Sequence, residues 1–215
     1  MNVERGQGAG GHGLVLVPGP ARAVHRWLRR GLVAVRVADL GAWTGICLAE
    51  DRARSAAPYD VGLEVLAAAP APLSRRPALG FFVIRERAVV TVQVRAWRSA
   101  QIWLVWEPGV GVRTPESLRP MPPTVLIRAS GAAERVSLER LSAHLALTDG
   151  SPIAWLSSLL TLLDLPGVEL LEHGGTADLE EIAPSVRSVR AFDAMVAEDA
   201  AYRAELGARE ARDEQ

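Results

Sequence analysis

The chain of 215 residues contains no lysine, so all 24 of its basic residues are arginine. With 19 glycines and 14 prolines besides, this composition indicates the codon bias of a GC-rich bacterial genome. Clusters of arginine usually favour phosphate or nucleic-acid binding. That inference is weak here, because arginine is the only cation that the chain uses.

Cysteine is nearly as scarce, since Cys47 is the only one. An internal disulfide is therefore excluded. The thiol lies in the apolar run of residues 43–49, where cysteine usually packs as a small hydrophobe rather than acting as a nucleophile or a redox sensor. A lone thiol fits a reducing compartment, and we expect the protein to be cytoplasmic.

Long hydrophobic runs are also missing. The most apolar stretch is residues 153–163, and Ser157, Ser158 and Thr161 interrupt it. A membrane span needs about 20 apolar residues, so this stretch predicts a buried helix. Residues 1–13 have neither the basic nor the apolar part of a signal peptide. We therefore expect a soluble protein that does not contact a membrane.

The familiar catalytic and cofactor motifs do not occur. Two overlapping G-x-G-x-x-G matches lie within residues 1–13, but no strand precedes them, as a dinucleotide fingerprint requires. A Walker motif needs lysine, and no G-x-S-x-G sequence is present. The sequence identifies no catalytic residue and no cofactor, and it leaves open whether the chain is an enzyme.

Histidine and carboxylate residues give no metal site. The four histidines are His12, His25, His144 and His173. The best local pair for a metal is Glu169 with His173, four residues apart. Without a third ligand, such a pair is more typical of a helix end, so we predict no bound metal.

The first half of the chain has the periodicity of β-strands. Strands are predicted at residues 13–17, 32–39 and 43–50, with helices at residues 21–30 and 61–69. A three-stranded meander follows at residues 79–85, 88–95 and 101–106. In its middle strand, valines at 90, 92 and 94 alternate with polar residues, which predicts one packed and one solvated face.

The second half is predicted to be mainly helical. Residues 124–128 suggest one more strand, and Ser137 and Ser151 are candidate caps of helices that reach residues 147 and 163. The acidic residues 178–181 resemble the first turn of a helix. A long helix is predicted at about residues 185–206. One of its stripes contains Val186, Val189, Phe192 and Val196.

These patterns predict an α+β fold. A β-α-β-β unit, a helix and the three-stranded meander form a mostly antiparallel sheet, and a helical C-terminal region follows. The predicted segments are a disordered Gly-rich segment at 1–13, a β-rich domain at 14–107, a Pro-rich connector at 108–123, a mainly helical region packing on the sheet at 124–206, and a frayed tail at 207–215.

Charge is unevenly distributed between the two halves. Residues 1–108 hold 14 arginines against 8 carboxylates, whereas residues 109–215 hold 10 arginines against 17 carboxylates. The first half is thus basic by six and the second acidic by seven. This division favours attraction between the halves or to a symmetry mate. The alternative is a basic sheet face that meets an acidic or polyanionic partner.

Tryptophan is the unusual feature of the composition. Three of the six tryptophans lie close together in the meander, with arginines between them. The resulting candidate interaction surface consists of Arg95, Trp97, Arg98, Trp103 and Trp106. Such residues occur at protein interfaces and on single-stranded nucleic-acid platforms. Since Trp103 and Trp106 face opposite sides of a regular strand, we expect one of them in the core.

By elimination, the sequence favours a non-catalytic adaptor, chaperone-like or assembly protein that acts through protein contacts. A protein partner or a homodimer is expected, with the long C-terminal helix and the Trp/Arg meander as candidate surfaces. One alternative is a small-molecule enzyme or binder with a pocket between the sheet and the C-terminal helices. The second alternative, nucleic-acid binding through the meander, is less favoured.

Overall fold

The computed structural model describes residues 11–95 and 100–213, with side chains described as far as residue 206. Within these residues there are eight β-strands in a single antiparallel sheet and seven α-helices, most of them in the second half. The predicted α+β class is therefore confirmed. Most of the predicted Gly-rich segment and the end of the predicted tail lie outside the described residues.

The strand order across the sheet is β7-β6-β5-β4-β1-β3-β2-β8. The strands are β1 Gly13–Pro18, β2 Val35–Leu40, β3 Trp43–Leu48, β4 Ala78–Ile84, β5 Arg87–Gln93, β6 Ile102–Glu107, β7 Gly111–Val112 and β8 Glu180–Ile182.

Short turns connect β2 to β3 and β4 to β5. In the first of these turns Gly41 has φ +76°, in the left-handed region that glycine tolerates best. Arg85 and Glu86 form the second turn with φ +50° and +60°. This turn lies one residue earlier than the sequence pattern suggested.

One face of the sheet packs against the C-terminal helices. Its strand residues include Leu14, Leu16 and Trp106, each fully buried. The helix α5 (Pro152–Leu162) supplies Trp155 and Leu156 to the same core. Because α5 is apolar on most of its surface, it is stable only when the sheet and the neighbouring helices cover it.

The opposite face is also covered, so the prediction of a solvated face was wrong. Val15 and Val89 face this side and contact a second core built on the short helices of the first half. Thr91 and Gln93 are only 4% and 7% exposed. These polar residues are buried because the end of a helix covers them and gives the Gln93 amide hydrogen-bond partners.

The helices are α1 His25–Leu28, α2 Gly62–Ala68, α3 Pro123–Ser130, α4 Leu138–Leu145, α5 Pro152–Leu162, α6 Val168–His173 and α7 Val186–Asp213. A 3₁₀ turn at Ala21–Ala23 precedes α1, in place of the single longer helix that the sequence predicts. The predicted caps are confirmed, since the hydroxyls of Ser137 and Ser151 accept hydrogen bonds from Arg140 N and Ala154 N.

Two local predictions in the second half were wrong. Residues 124–128 lie in α3 rather than in a strand, because Pro123 occupies the first turn of a helix that Gly131 ends with φ +74°. The acidic residues Glu180 and Glu181 lie in β8, which pairs with β2 at the edge of the sheet. Pairing with an existing strand outweighs the weak helical signal of these residues.

The connector at residues 108–123 lies beside the edge of the sheet. It supplies β7, and further along the chain it runs parallel to β6 near Pro120. Trp103 N donates to Arg119 O at 2.8 Å, and Trp103 O accepts from Met121 N at 2.9 Å. None of the helices that the structure describes is long and apolar enough to cross a bilayer.

Candidate functional site

The last helix, α7, has 28 residues and is the longest element in the described part of the chain. At about 1.5 Å of rise per residue it extends about 42 Å. The side chains of Val189, Phe192 and Val196 in its first turns are half-buried, and every residue from 197 to 206 is exposed. The part of α7 that follows Val196 therefore projects from the body. We call residues 194–206, which include the turn around Val196, the arm.

Apolar residues form a stripe along α7 that one carboxylate interrupts. Phe192 is followed by Met195, Tyr202 and Leu206, with Asp199 at the intervening position. These spacings of three and four residues place the side chains on one side of a helix, as in the seam of a coiled coil. Met195, Tyr202 and Leu206 are 56%, 61% and 39% exposed. Beyond Phe192 the stripe thus has no covering element within the described part of the chain.

Hydrogen bonds attach the start of α7 to the end of α1. The backbone N–H of Ser185 donates to Arg29 O at 2.8 Å, and the Ser188 hydroxyl lies 3.4 Å from the same oxygen. Ser185 also caps α7, since its hydroxyl accepts from Ser188 N at 3.2 Å. The rings of Tyr59 and Phe192 meet edge to face at 5.2 Å. These contacts fix the direction in which the arm leaves the body.

A cleft of about 400 Å³ lies at the base of α7, and we call it the root cleft. Its walls come from the residues after α1, from Tyr59, from the second half of α2 with the residues that follow it, and from the first turns of α7. The lining residues are Arg30, Gly31, Leu32, Tyr59, Val65, Ala68, Ala69, Pro70, Ser188 and Phe192. Among these described residues Arg30 alone is charged, so the root cleft is apolar with a cation at its rim.

The segment that leads into the root cleft is basic. Arg22, Arg26, Arg29 and Arg30 are all exposed on the segment that contains α1. Within the described part of the chain, none of these four guanidinium groups takes part in an ion pair. An apolar cleft with Arg30 at its rim favours a ligand with apolar groups and negative charge.

A second cavity, of about 710 Å³, lies between the edge of the sheet and the C-terminal region. Leu40 of β2, Leu170 of α6 and Leu179 before β8 line this seam cavity, and Glu169 and His173 lie at its polar part. The Nδ1 atom of His173 is 3.3 Å from Glu169 O. That oxygen is the backbone carbonyl of Glu169, so the contact does not join the two side chains, and both residues are exposed on α6.

The other three histidines each contact a neighbouring group of the fold. His25 Nε2 lies 3.1 Å from Glu180 Oε2 at the sheet edge, and His12 Nδ1 lies 3.1 Å from Leu171 O. His144 packs against Trp155, which in turn stacks on Trp106. Burial lowers the pKa of His144, because it penalises the charged imidazolium. No histidine meets both a carboxylate and an arginine within the described residues.

Metal-binding groups do not converge. Across residues 11–95 and 100–213, no three His, Cys, Asp or Glu side chains lie close enough together to hold a metal ion. Cys47 is buried in β3, and burial raises the pKa of its thiol. A buried protonated thiol is a poor nucleophile, which favours the packing role.

The predicted Trp/Arg surface is divided by the sheet. Trp106 is fully buried in the core beneath the C-terminal helices, and its indole N–H donates to Leu147 O at 2.6 Å. It is therefore not part of an exposed surface in this fold. Trp103 points to the opposite face and is half-buried, as strand parity predicted. Arg95 is exposed, and Trp97 and Arg98 lie outside the described residues.

No sequence pattern indicated the root cleft. Tyr59 precedes the helix predicted at residues 61–69, and Arg30 is the last residue of the helix predicted at residues 21–30. Phe192 was identified only as part of an amphipathic stripe. Comparison of the chain with protein-family models, with curated proteins and with solved structures found no match.

Proposed function

We propose that this protein is an adaptor or assembly protein that acts through protein–protein contacts, and that the arm is its contact element. The observation that carries the proposal is the exposed stripe of Met195, Tyr202 and Leu206 on a helix that projects from the body. Large apolar side chains at this spacing are typical of helices that dock into a groove.

The charges beside the stripe suggest the character of the partner. Residues 194–206 contain Glu198, Asp199 and Glu205 against Arg203. Asp199 forms an ion pair with Arg203 one turn away. A basic, apolar groove is the surface that such a helix recognises. We also propose the cytoplasm as the location, where a free buried thiol such as Cys47 remains reduced.

Site-specific photo-crosslinking in cells that produce the protein tests this proposal. A photoreactive amino acid at Tyr202 lies on the stripe, and the same group at Ala204 lies on another side of the helix. We expect a defined protein crosslink from position 202, none from position 204, and its loss when Glu198→Arg and Glu205→Arg are added. Absence of a face-dependent crosslink would contradict the proposal.

The seam cavity supports a second candidate function, the binding of a small apolar molecule. Its volume of about 710 Å³ falls within the usual range for ligand pockets. The lining is mostly aliphatic, with Glu169, His173 and Thr176 as polar groups that could orient a ligand. This position, between the sheet and the C-terminal helices, is the one that the small-molecule alternative from the sequence requires.

An apolar fluorescent dye such as anilinonaphthalene sulfonate provides a direct test of the seam cavity. Ala38 lines the cavity from β2, so Ala38→Leu reduces its volume with a small change in the core. We expect weaker dye binding with an unchanged unfolding midpoint. Ala68→Leu, in the root cleft, serves as the matched control. Equal dye binding by wild type and the Ala38 variant would remove the support for this candidate.

A further inference from the structure

The root cleft has the size of a small-molecule site and apolar walls. Its volume of about 400 Å³ lies within the usual range for ligand pockets, about 300–1,000 Å³. Leu32 and Val65 line it from the body, and Phe192 lines it from α7. These side chains are half-buried, so each keeps apolar surface in contact with water. An apolar ligand chain in the cleft covers this surface and displaces the water.

Several polar groups of the cleft walls already have partners within the fold. Pro70 O accepts from the indole N–H of Trp27 at 3.0 Å, and the Ser188 hydroxyl lies 2.7 Å from that of Ser185. The guanidinium of Arg30, by contrast, takes part in no ion pair among the residues that the structure describes. Arg30 is therefore the side chain of this cleft that is available to a charged ligand.

The charges around the cleft favour an anion. Among the described residues that line it there is no carboxylate. The charged residues next to a lining residue in the sequence are two cations and three carboxylates, namely Arg29, Arg187, Asp60, Glu64 and Asp193. Asp60 and Glu64 each form an ion pair with an arginine at 2.8 Å. Together with Arg30, three cations then remain against one carboxylate that is unpaired in the described part of the chain, and this excess attracts an anion.

The properties of the cation and of the walls select the kind of anion. A guanidinium binds a carboxylate through two parallel N–H···O bonds, and the single charge of Arg30 matches that of the carboxylate. A phosphate monoester carries up to two charges and needs more donors than one arginine. The rings of Tyr59 and Phe192 meet edge to face, so these two residues form no parallel slot for a planar ring. An aliphatic chain suits the walls better.

We infer that the root cleft is a binding site for a small aliphatic carboxylate, with its chain between α2 and α7 and its head group on Arg30. The bound ligand contacts both the body and the first turns of α7, from which the arm continues. The inference is independent of the proposed function, since it holds whether or not the arm binds a protein.

Titration of the full chain with three amphiphiles of equal chain length, octanoate, octanol and octylamine, tests the inference. Amide chemical shifts of the isotope-labelled protein locate the site and give the affinity for each compound. We expect octanoate to shift the amides of Leu32, Ala68 and Phe192. Octanol should bind about fivefold more weakly, and octylamine more weakly still, because the three differ only in the head group that meets Arg30.

Substitution of Arg30 separates the head-group contact from the apolar contact. Arg30→Gln should weaken octanoate binding about fivefold and leave octanol binding unchanged. Arg30→Glu should bind octylamine more tightly than octanoate, a reversal that an apolar cleft alone would not give. The matched control is Arg128→Gln on α3, the same change at an exposed arginine that does not line the cleft. It should bind all three compounds like wild type.

Filling the cleft gives a second, independent variant. Ala68→Leu places a larger side chain in the cleft and should weaken the binding of both octanoate and octanol, whereas Ala38→Leu in the seam cavity should weaken neither. The dye used for the seam cavity is itself an apolar anion, so part of it should enter the root cleft. Ala68→Leu removes that part and Ala38→Leu removes the part in the seam cavity, which keeps the two sites distinguishable.

Four outcomes would overturn the inference: octanoate that binds no better than octanol, shifts confined to residues outside the cleft, an Arg30→Gln variant that binds octanoate like wild type, or octyl phosphate that binds more tightly than octanoate. The last would assign the cleft to phosphate monoesters. None of these results affects the proposed function, because the crosslink from position 202 does not involve the cleft. Failure of the ligand site and failure of the arm as a contact element are therefore observed separately.

Discussion

Replacing Gln93 by methionine is predicted to destabilise the protein strongly, although no apolar contact is removed. The side chain of Gln93 is buried in the sheet face beneath α2. Its Oε1 accepts from Ala71 N at 2.8 Å, and its Nε2 donates to Ala69 O at 2.9 Å and to Gln101 Oε1 at 3.2 Å. The amide thus satisfies two backbone groups at the point where the chain leaves α2.

The magnitude follows from the two backbone groups that lose their partner. Leaving a buried donor or acceptor unsatisfied costs about 1–3 kcal/mol. Because Ala71 is buried, its unpaired N–H would have the full free-energy cost of an unsatisfied donor. Ala69 is half-buried, so water can replace part of the hydrogen bonding that its carbonyl loses. Methionine has a similar volume and adds no cavity. We expect the free energy of unfolding to fall by about 2–4 kcal/mol.

Urea unfolding followed by tryptophan fluorescence measures this loss. The matched comparison is Gln101→Met, because Gln101 is half-buried and its Nε2 donates to a single backbone group, Ala67 O, at 2.6 Å, besides the bond that its Oε1 accepts from Gln93. We expect the control to lose about 1 kcal/mol. A loss below about 0.5 kcal/mol in the Gln93 variant would refute the view that this amide holds α2 on the sheet.

Three further predictions concern single residues. Burial lowers the pKa of His144, so the unfolded chain binds a proton more readily than the folded one. The free energy of unfolding should therefore decline as the pH falls below about 6.5. In urea titrations, His144→Gln should reduce this pH dependence. The buried Cys47 thiol, whose pKa burial raises, should react with Ellman's reagent only after unfolding. Gly167→Ala should cost about 2 kcal/mol, because Gly167 has φ +96° and a Cβ atom there would lie 2.9 Å from Leu14 Cδ2.

For each of these predictions, a specific result would contradict the reasoning. A pH dependence that is identical in wild type and the His144 variant would exclude this imidazole as its source. Fast reaction of Cys47 in the folded protein would mean that β3 opens readily. Gly131→Ala serves as the control for Gly167, since Gly131 has φ +74° and an added Cβ atom would meet nothing within 4 Å among the described residues. Equal losses would show that backbone conformation alone, without crowding, decides the cost.

Strand positions in the first half were readily predicted from the sequence. Alternating apolar residues, as in β5, repeat every second position, and this local signal depends little on the rest of the chain. Serine caps and the proline at the start of α5 were predicted for the same reason. The amphipathic helix was anticipated with a stripe of Val186, Val189, Phe192 and Val196, of which the last three are half-buried. The exposed Met195, Tyr202 and Leu206 were not identified from the sequence.

Features that depend on distant partners were missed. β8 is a strand only because the edge of β2 is available to it. Gln93 is buried because α2 covers it, and Trp106 is buried because α5 stacks Trp155 on it. The root cleft joins Arg30, Tyr59 and Phe192, which are widely separated in sequence. No local pattern contains such information.

Composition and short-range periodicity were enough to establish the α+β class, the order of most elements, the single thiol and the division into a basic and an acidic half. These properties belong to each segment by itself, so they can be predicted without knowing what the segment contacts. By contrast, the tertiary structure alone showed that both sheet faces are covered and that the arm leaves the body beside the root cleft. Such features arise from contacts between segments far apart in the chain, and those contacts exist only in the folded molecule.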